Sequence, residues 1–209
     1  MKQKTFFTSD WHIGNANVIQ FSNRPFRNID HMHEVLINNH NSTVPVDGIT
    51  YCLGDMLQGS IELCTNILSA MNGTKILIAG NHDPSASRAL RCGFALVLNS
   101  AGIVIGGEHV TMSHCPLRGV VREDITGMRG AVLGDNWHGE SKHWKFRIGD
   151  WGQYHLHGHI HSPNGGRSTK TLGRQYDVGV DANNYTPVSV STLERWITST
   201  KKETKTDED

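Results

Sequence analysis

The chain has 209 residues, with 20 Lys plus Arg against 20 Asp plus Glu, 13 His and four Cys. That length suits one domain with a sizeable core. The zero net charge argues against a bulk electrostatic field for nucleic acid and against an acidic, disordered chain.

The N-terminal MKQKTFFTSDWH reaches a charged aspartate after an apolar stretch too short for a signal-peptide core, and no later segment approaches a membrane span. Cys52, Cys64, Cys92 and Cys115 form no C-x-x-C pair, which reads as reduced thiols packed as small hydrophobes. The expectation is an unsecreted, cytoplasmic protein with no membrane partner.

TFFTSD (5–10) is a short β-rich run, GITYCLGD (48–55) also stops at an aspartate, and KILIAGNHD (75–83) repeats the pattern of strand, glycine and polar residues. Between them, Asp30 to Val44 places Met32, Val35, Leu36 and Asn39 at helical spacing, and Ser60 caps a segment striped by Cys64, Ile67, Leu68 and Met71. Strand and helix alternating in this way predict a largely parallel sheet, whose ligands bind beyond the carboxyl ends of its strands.

GIVIGGEHVTMSH (102–114) predicts a hairpin turning at Gly106-Gly107, and QYHLHGH, RQYDVGV and VSVSTLERW follow as short strands and a final helical turn. This half suggests a second, more antiparallel sheet. Residues 117–150 are rich in Gly, Arg, Trp and His and weakly periodic, so they read as a substrate loop or lid. A single domain is expected over 1–198, followed by a frayed, polar tail at 199–209.

The polar strand tips, in chain order, are Asp10-Trp11-His12, Gly54-Asp55, Gly80-Asn81-His82-Asp83, Ser113-His114 and Gly158-His159-Ile160-His161. Carboxylate, imidazole and amide without thiolate suit Mn²⁺, Fe, Zn²⁺ or Ni²⁺ as a reactive centre better than a structural zinc. The four alternating histidines of YHLHGHIH divide at Gly158. His155 belongs to the incoming strand, His157 suits a hydrogen bond behind the ligands, and His159 and His161 follow the glycine.

D-x-H, G-D, G-N-H-D, H and G-H-x-H in this order, spanning residues 10 to 161, resemble the calcineurin-like metallophosphoesterase family. FTSDWHIGNANVIQFSNRPF and YDVGVDANNYTPVS resemble its small bacterial and bacteriophage members. The resemblance implies an α/β fold, a four-layer α-β-β-α sandwich of two mixed sheets. It also implies two divalent transition-metal ions, manganese before iron, zinc or nickel. By similarity Asp10, His12 and His161 hold the first metal, Asn81, His114 and His159 the second, and Asp55 bridges them. One carboxylate can hold two cations at the ~3.5–4 Å of two-metal hydrolysis.

The implied activity is hydrolysis of a phosphodiester, of nucleotide type, by in-line attack of a metal-bridging hydroxide. His82 then resembles the family's catalytic histidine, which contacts phosphate and can protonate the leaving group. Asn15, Arg24 and Arg118 are candidate substrate contacts. Asn15 stands where close relatives often have histidine, and Arg24 lies in an R-P-F that relatives commonly share. Arg122, Arg129, Arg147, His138 and His143 are further candidates in the loop.

Other readings are a phosphomonoesterase, a nuclease on single strands or ends, which the balanced charge does not favour, and a catalytically silent protein-binding module. His31, His33 and His40 read as solvated residues on the polar side of the first helix. His109 reads as a surface strand residue and Asp83 as a local turn former before Pro84.

Overall fold

The structure, a computed structural model, describes residues 4–117, 146–162 and 171–206. Five strands form the first sheet in the order β10-β1-β2-β3-β4: β1 (Thr5–Thr8), β2 (Ile49–Cys52), β3 (Thr74–Ile78), β4 (Leu96–Leu98) and β10 (Val188–Ser189). β1 to β4 run parallel, while β10 pairs antiparallel with β1 through Phe6↔Ser189 and Phe7↔Val188. The second sheet has the order β5-β6-β7-β9-β8, from β5 (Ala101–Ile105), β6 (Glu108–Met112), β7 (Tyr154–His157), β8 (Thr171–Leu172) and β9 (Gln175–Asp177). The β5-β6 hairpin turns at Gly106-Gly107 as expected, with φ of 58° and 83° there. The second sheet is nevertheless mixed, because β6, β7 and β9 run parallel.

The crossovers are α1 (Asn17–Phe21), α2 (Ile29–Thr43), α3 (Ile61–Ala70) and α4 (Ala86–Cys92). Asn28 caps α2 by accepting the His31 N–H at 2.9 Å, and Pro45 follows its end. Ser60 caps α3 by accepting the Leu63 N–H at 3.1 Å, as its sequence predicts. α4 stops at Gly93, whose φ of 117° suits a residue without Cβ. The weak periodicity of α1 and α4, five and seven residues long, explains why the sequence pattern passed over them.

Alternation along the central strands sends side chains to two cores. Cys52 and Leu77 face Met32, Leu36, Cys64, Leu68 and Cys92 under α2, α3 and α4. Phe7, Leu53 and Ile78 face Val110, Met112, Leu156 and Tyr176 of the second sheet. Burial of each such side chain contributes about 1.5–3 kcal/mol.

α5 (Val190–Thr206) corrects two expectations. It is a 17-residue helix rather than a turn, and it carries through most of the stretch expected to fray. Leu193, Trp196 and Ile197 join the inter-sheet core, where the Trp196 ring meets Tyr154 and Tyr176 edge-on at 5.3 Å each. Thr200 donates to the Trp196 carbonyl and Lys201 pairs with Glu108, so apolar anchoring upstream carries the polar stretch along. α5 contacts β1 and β10 of one sheet and β5 of the other. Among the described residues the architecture is therefore mixed α/β, two mixed sheets face to face with helices.

All four cysteines are free and buried. Among the described residues no helix is long and apolar enough to cross a membrane.

Candidate metal centre

The chain leaves β1 into Asp10-Trp11-His12, and these residues stay tied to the segment after β2: Asp10 N–H donates to Gly54 O at 3.0 Å and His12 N–H to Asp55 O at 2.9 Å. From the second sheet, Gly158 N–H donates to His114 O at 2.9 Å, and His159 N–H to Asp10 Oδ2 at 3.0 Å. The carboxyl ends of β1, β2, β3, β6 and β7 thus deliver Asp10, His12, Asp55, Asn81, His114, His159 and His161 to one place. Only backbone lets the two sheets approach so closely. A Cβ on Gly158 would overlap Ser9 Oγ and Asp10 Oδ2, and one on Gly80 would overlap Asp55 Oδ1.

The donor atoms converge in two sets. In the first, His12 Nε2 and His161 Nε2 are 3.2 Å apart, and His161 Nε2 is 3.8 Å from Asp10 Oδ1. In the second, His114 Nε2 lies 3.0 Å from Asn81 Oδ1 and 3.2 Å from His159 Nδ1. Asp55 Oδ2 stands between them, 3.3 Å from His114 Nε2 and 3.8 Å from His12 Nε2. Ligands about 2.0–2.2 Å from a common ion are separated by roughly 3–3.5 Å, so the 3.0–3.3 Å spacings fit donors around a shared cation and the 3.8 Å ones are slightly wider.

The outer ring nitrogens decide which way the lone pairs point. His12 Nδ1 meets Gln58 Oε1 at 3.0 Å, His161 Nδ1 meets Asp181 Oδ2 at 2.7 Å, and His114 Nδ1 meets Leu53 O at 2.8 Å. Each acceptor calls for an N–H on Nδ1, which leaves Nε2 free to bind a cation in the neutral tautomer. Lone pairs 3.2 Å apart repel, and a cation between them removes the conflict.

Charge points the same way. Asp10 is fully buried and Asp55 is 2% exposed, and buried carboxylates are costly unless paired. Burial alone would raise Asp55, but the neighbouring His114 and His12 outweigh it and hold its carboxyl well below the usual range. Burial likewise lowers His114, yet Asp55 dominates and pushes the imidazole up to about 10. His12 is lowered, chiefly by burial. The acidic cluster therefore demands positive charge at its centre, which a proton on His114 or a bound cation can supply. Cys115 lies beside His114 and His159, but burial pushes its thiol up to about 12, so oxygen and nitrogen donors dominate.

Backbone strain gathers here too. Of the eight non-glycine residues with positive φ among those described, five are Asp10 (61°), His12 (51°), Asp55 (53°), His159 (71°) and His161 (47°). Each left-handed L-residue costs about 1–2 kcal/mol, and such strain persists where the surroundings over-determine it.

The other predicted residues fall into different places. His82 is exposed beside the first set, its ring 5.7 Å from that of His12, while its backbone N–H donates to Asp55 Oδ1 at 2.8 Å. Asn15 sits at the mouth and donates to Gln58 Oε1 at 2.7 Å. Arg24 is corrected: its guanidinium is buried and gives two 2.7 Å bonds to Asp181 and one of 2.6 Å to Asp10 O, so it braces the site rather than meeting a substrate. Arg118, Arg122, Arg129, His138 and His143 lie outside the described residues.

His33 and His40 are also corrected, since both are buried: His33 Nε2 accepts the Gly14 N–H at 3.2 Å and His40 Nε2 meets Asn72 O at 3.0 Å. His157 is buried and its Nδ1 donates to the adjacent Gly158 O at 2.9 Å, a backbone group rather than one of the donor side chains. Asp83 reaches beyond its own turn to accept N–H groups from Asp55, Met56 and Leu57 as well as Gly80.

Asp181 and Asp177 carry roles that the motif reading missed. Asp181 joins Arg24 to His161, while buried Asp177 accepts Gly179 and Ser162 N–H groups. Their signal was present in YDVGVD, another strand end followed by glycine and acid.

No family model matches the chain. The gene 66 protein of Mycobacterium phage D29 is 32% identical over 195 residues, covering 85% of this chain and 87% of that protein. The gene 66 protein of Mycobacterium phage L5 is 28% identical over 191 residues, covering 85% and 86%. An uncharacterized protein of Methanocaldococcus jannaschii is 37% identical over 83 residues, which span 39% of this chain and 47% of that relative's length. A solved protein of unknown function from Aquifex aeolicus shares the fold, with a TM-score of 0.64 at 23% identity over 92% of this chain and 98% of that one.

Proposed function

This chain belongs to the family of the gene 66 protein of Mycobacterium phage D29, and from its own side chains we propose that it is a phosphoesterase of the calcineurin-like metallophosphoesterase type, using two divalent metal ions to hydrolyse a nucleotide-type phosphodiester. The observation that carries this reading is the sharing of Asp55 between two donor sets, Asp10, His12 and His161 on one side and Asn81, His114 and His159 on the other. Oxygen, imidazole and amide donors fit manganese, iron, zinc or nickel, with manganese first by the motif resemblance. Bound there, the metals would supply Lewis acidity toward phosphoryl oxygens and a water activated for in-line attack.

The chain's own residues do the rest. Asp10 and Asp55 bring the negative charge that holds cations in a buried site, and Gln58, Leu53 O and Asp181 fix the imidazoles that ligate them. To His82, exposed with its ring 5.7 Å from that of His12, the reading assigns contact with phosphate and donation of a proton to the departing oxygen, while its main chain braces Asp55. Such an acid typically contributes about 10²- to 10⁴-fold.

The test is a turnover panel on protein loaded with Mn²⁺, Ni²⁺ or Zn²⁺, with metal content measured. It sets bis-p-nitrophenyl phosphate against p-nitrophenyl phosphate, cyclic nucleotides, dinucleotides and single-stranded DNA. Preferential turnover of diesters is expected. Preference for the monoester would move the reading to a phosphatase, release of nucleotides from DNA to a nuclease, and no turnover with both metals bound would overturn it.

A further inference from the structure

Phe21 closes the short helix α1, whose buried residue is Val18. Phe21 is 62% exposed, yet its ring lies at a steep angle to two candidate ligands, with centroids 5.4 Å from His161 and 6.2 Å from His12. The next residue ties this position down, because Ser22 Oγ lies 2.9 Å from His161 Nδ1. A single exposed phenylalanine is ordinary on a protein surface. Here the large apolar ring lies at the mouth of a buried, charged centre, in contact with the imidazoles that form its floor.

We infer that Phe21 is the shelf on which the flat group of the substrate stacks, a nucleobase carried by the phosphoester whose phosphate enters the metal centre. The inference rests on the phosphoester reading and assigns the recognition of the base to one side chain.

The chemistry favours this assignment. The metal centre presents imidazole, amide and carboxylate groups, which suit a phosphate and give an uncharged base no apolar surface. The Phe21 ring, its centroid 5.4 Å from that of His161, supplies that surface beside the donors. The Phe21 ring meets the His12 and His161 rings at steep angles of 86° and 68° rather than stacking on them, and Phe21 stays 62% exposed, which leaves apolar area that a base can cover. A phenyl ring has no hydrogen-bonding group, so such a shelf accepts any base. Stacking of this kind changes affinity by on the order of 5- to 150-fold per base. Arg24 offers no charged partner for the base, because its guanidinium is committed to Asp181.

The experiment is calorimetric binding to the full-length, metal-loaded protein. Its ligands are the methyl phosphinate analogues of the 5′-phosphodiesters of adenosine and of ribose, in which carbon replaces both ester oxygens, keeps the single negative charge and prevents turnover. The adenosine ligand is expected to bind wild type on the order of 5- to 150-fold more tightly. Phe21→Ala should remove most of that difference and leave the ribose ligand's affinity unchanged, while Phe21→Trp should keep the difference. A base preference that survives Phe21→Ala, or equal weakening of both ligands, overturns the shelf. Failure of both phosphinates to bind wild type of verified metal content overturns the phosphoester reading, and the shelf with it.

Discussion

The carboxylate of Asp83 holds the backbone of Asp55: Oδ2 accepts the Asp55 N–H at 2.8 Å and the Gly80 N–H at 2.9 Å, while Oδ1 accepts the Met56 and Leu57 N–H groups at 2.8 and 2.9 Å. One side chain thereby joins the loops that carry Asp55 and Asn81, and it helps hold Asp55 at its φ of 53°. Asp83→Asn turns an amide NH₂ toward two N–H donors. The expected cost is on the order of 1–3 kcal/mol of stability, with weaker retention of both metals. Urea unfolding of the metal-free protein measures the first and metal analysis after dialysis the second. Full metal content in the variant would show that the loops are held by other means.

His82 stands apart from the donors, so its side chain can be changed without removing a ligand. His82→Asn is expected to retain both metals and to slow turnover by about 10²- to 10⁴-fold for poor leaving groups, and less for p-nitrophenolate. Kinetics across a leaving-group series reads this directly. Equal slowing throughout would remove the acid role and leave only phosphate positioning.

Arg24 and Asp181 form a buried pair whose side chains are 0% and 3% exposed. Removing one partner strands the other's charge, which costs about 3–5 kcal/mol. Arg24→Ala should therefore lower the urea midpoint strongly, and Arg24→Lys should rescue little because a point charge cannot replace the two-pronged contact. Unchanged stability with a raised KM would instead restore Arg24 as a substrate contact.

Burial, with His157 adding to it, pushes His155 down to about 3 from an ordinary 6.5. His33 and His40 shift the same way, mainly through burial. These folded-state values lie below the unfolded one, so the folded protein binds fewer protons. The stability they contribute is complete above about pH 6.5 and drains away as the pH falls below it. His114, pushed up to about 10, works the other way: folded it is protonated throughout this window, while the unfolded imidazole takes up its proton as the pH falls through about 6.5, which offsets part of the loss at the top of the window. Urea unfolding of the metal-free protein should weaken between about pH 6.5 and about pH 4.5, with a shallower slope in His155→Gln. An identical slope in the variant would place the acid sensitivity elsewhere.

Much of this was legible in the chain itself. Apolar runs ending at Asp10, Asp55 and Asn81 marked parallel strands and put their polar tips on one edge, because strand direction and the site are linked in such sheets. The Gly106-Gly107 turn, the Ser60 cap and the division of YHLHGHIH at Gly158 were equally local, each decided by residues within one or two turns of chain. Local pattern also misled. His33 and His40, which read as solvated on a polar helical face, are buried, because Gly14 and Asn72 come from elsewhere to meet those rings. TSTKKETKT reads as a tail, yet it continues α5 because Trp196 upstream is anchored between Tyr154 and Tyr176.

The sequence by itself determined the donor types and their placement at strand ends, since those depend on residue identity and short-range periodicity. Only the tertiary structure decided their grouping. Whether Asp55 stands between two sets, whether Arg24 meets solvent or Asp181, and whether Phe21 is buried or exposed beside His161 depend on pairs distant along the chain. No local propensity encodes those distances, which are set when the two sheets pack and close the gap between β1 and β7.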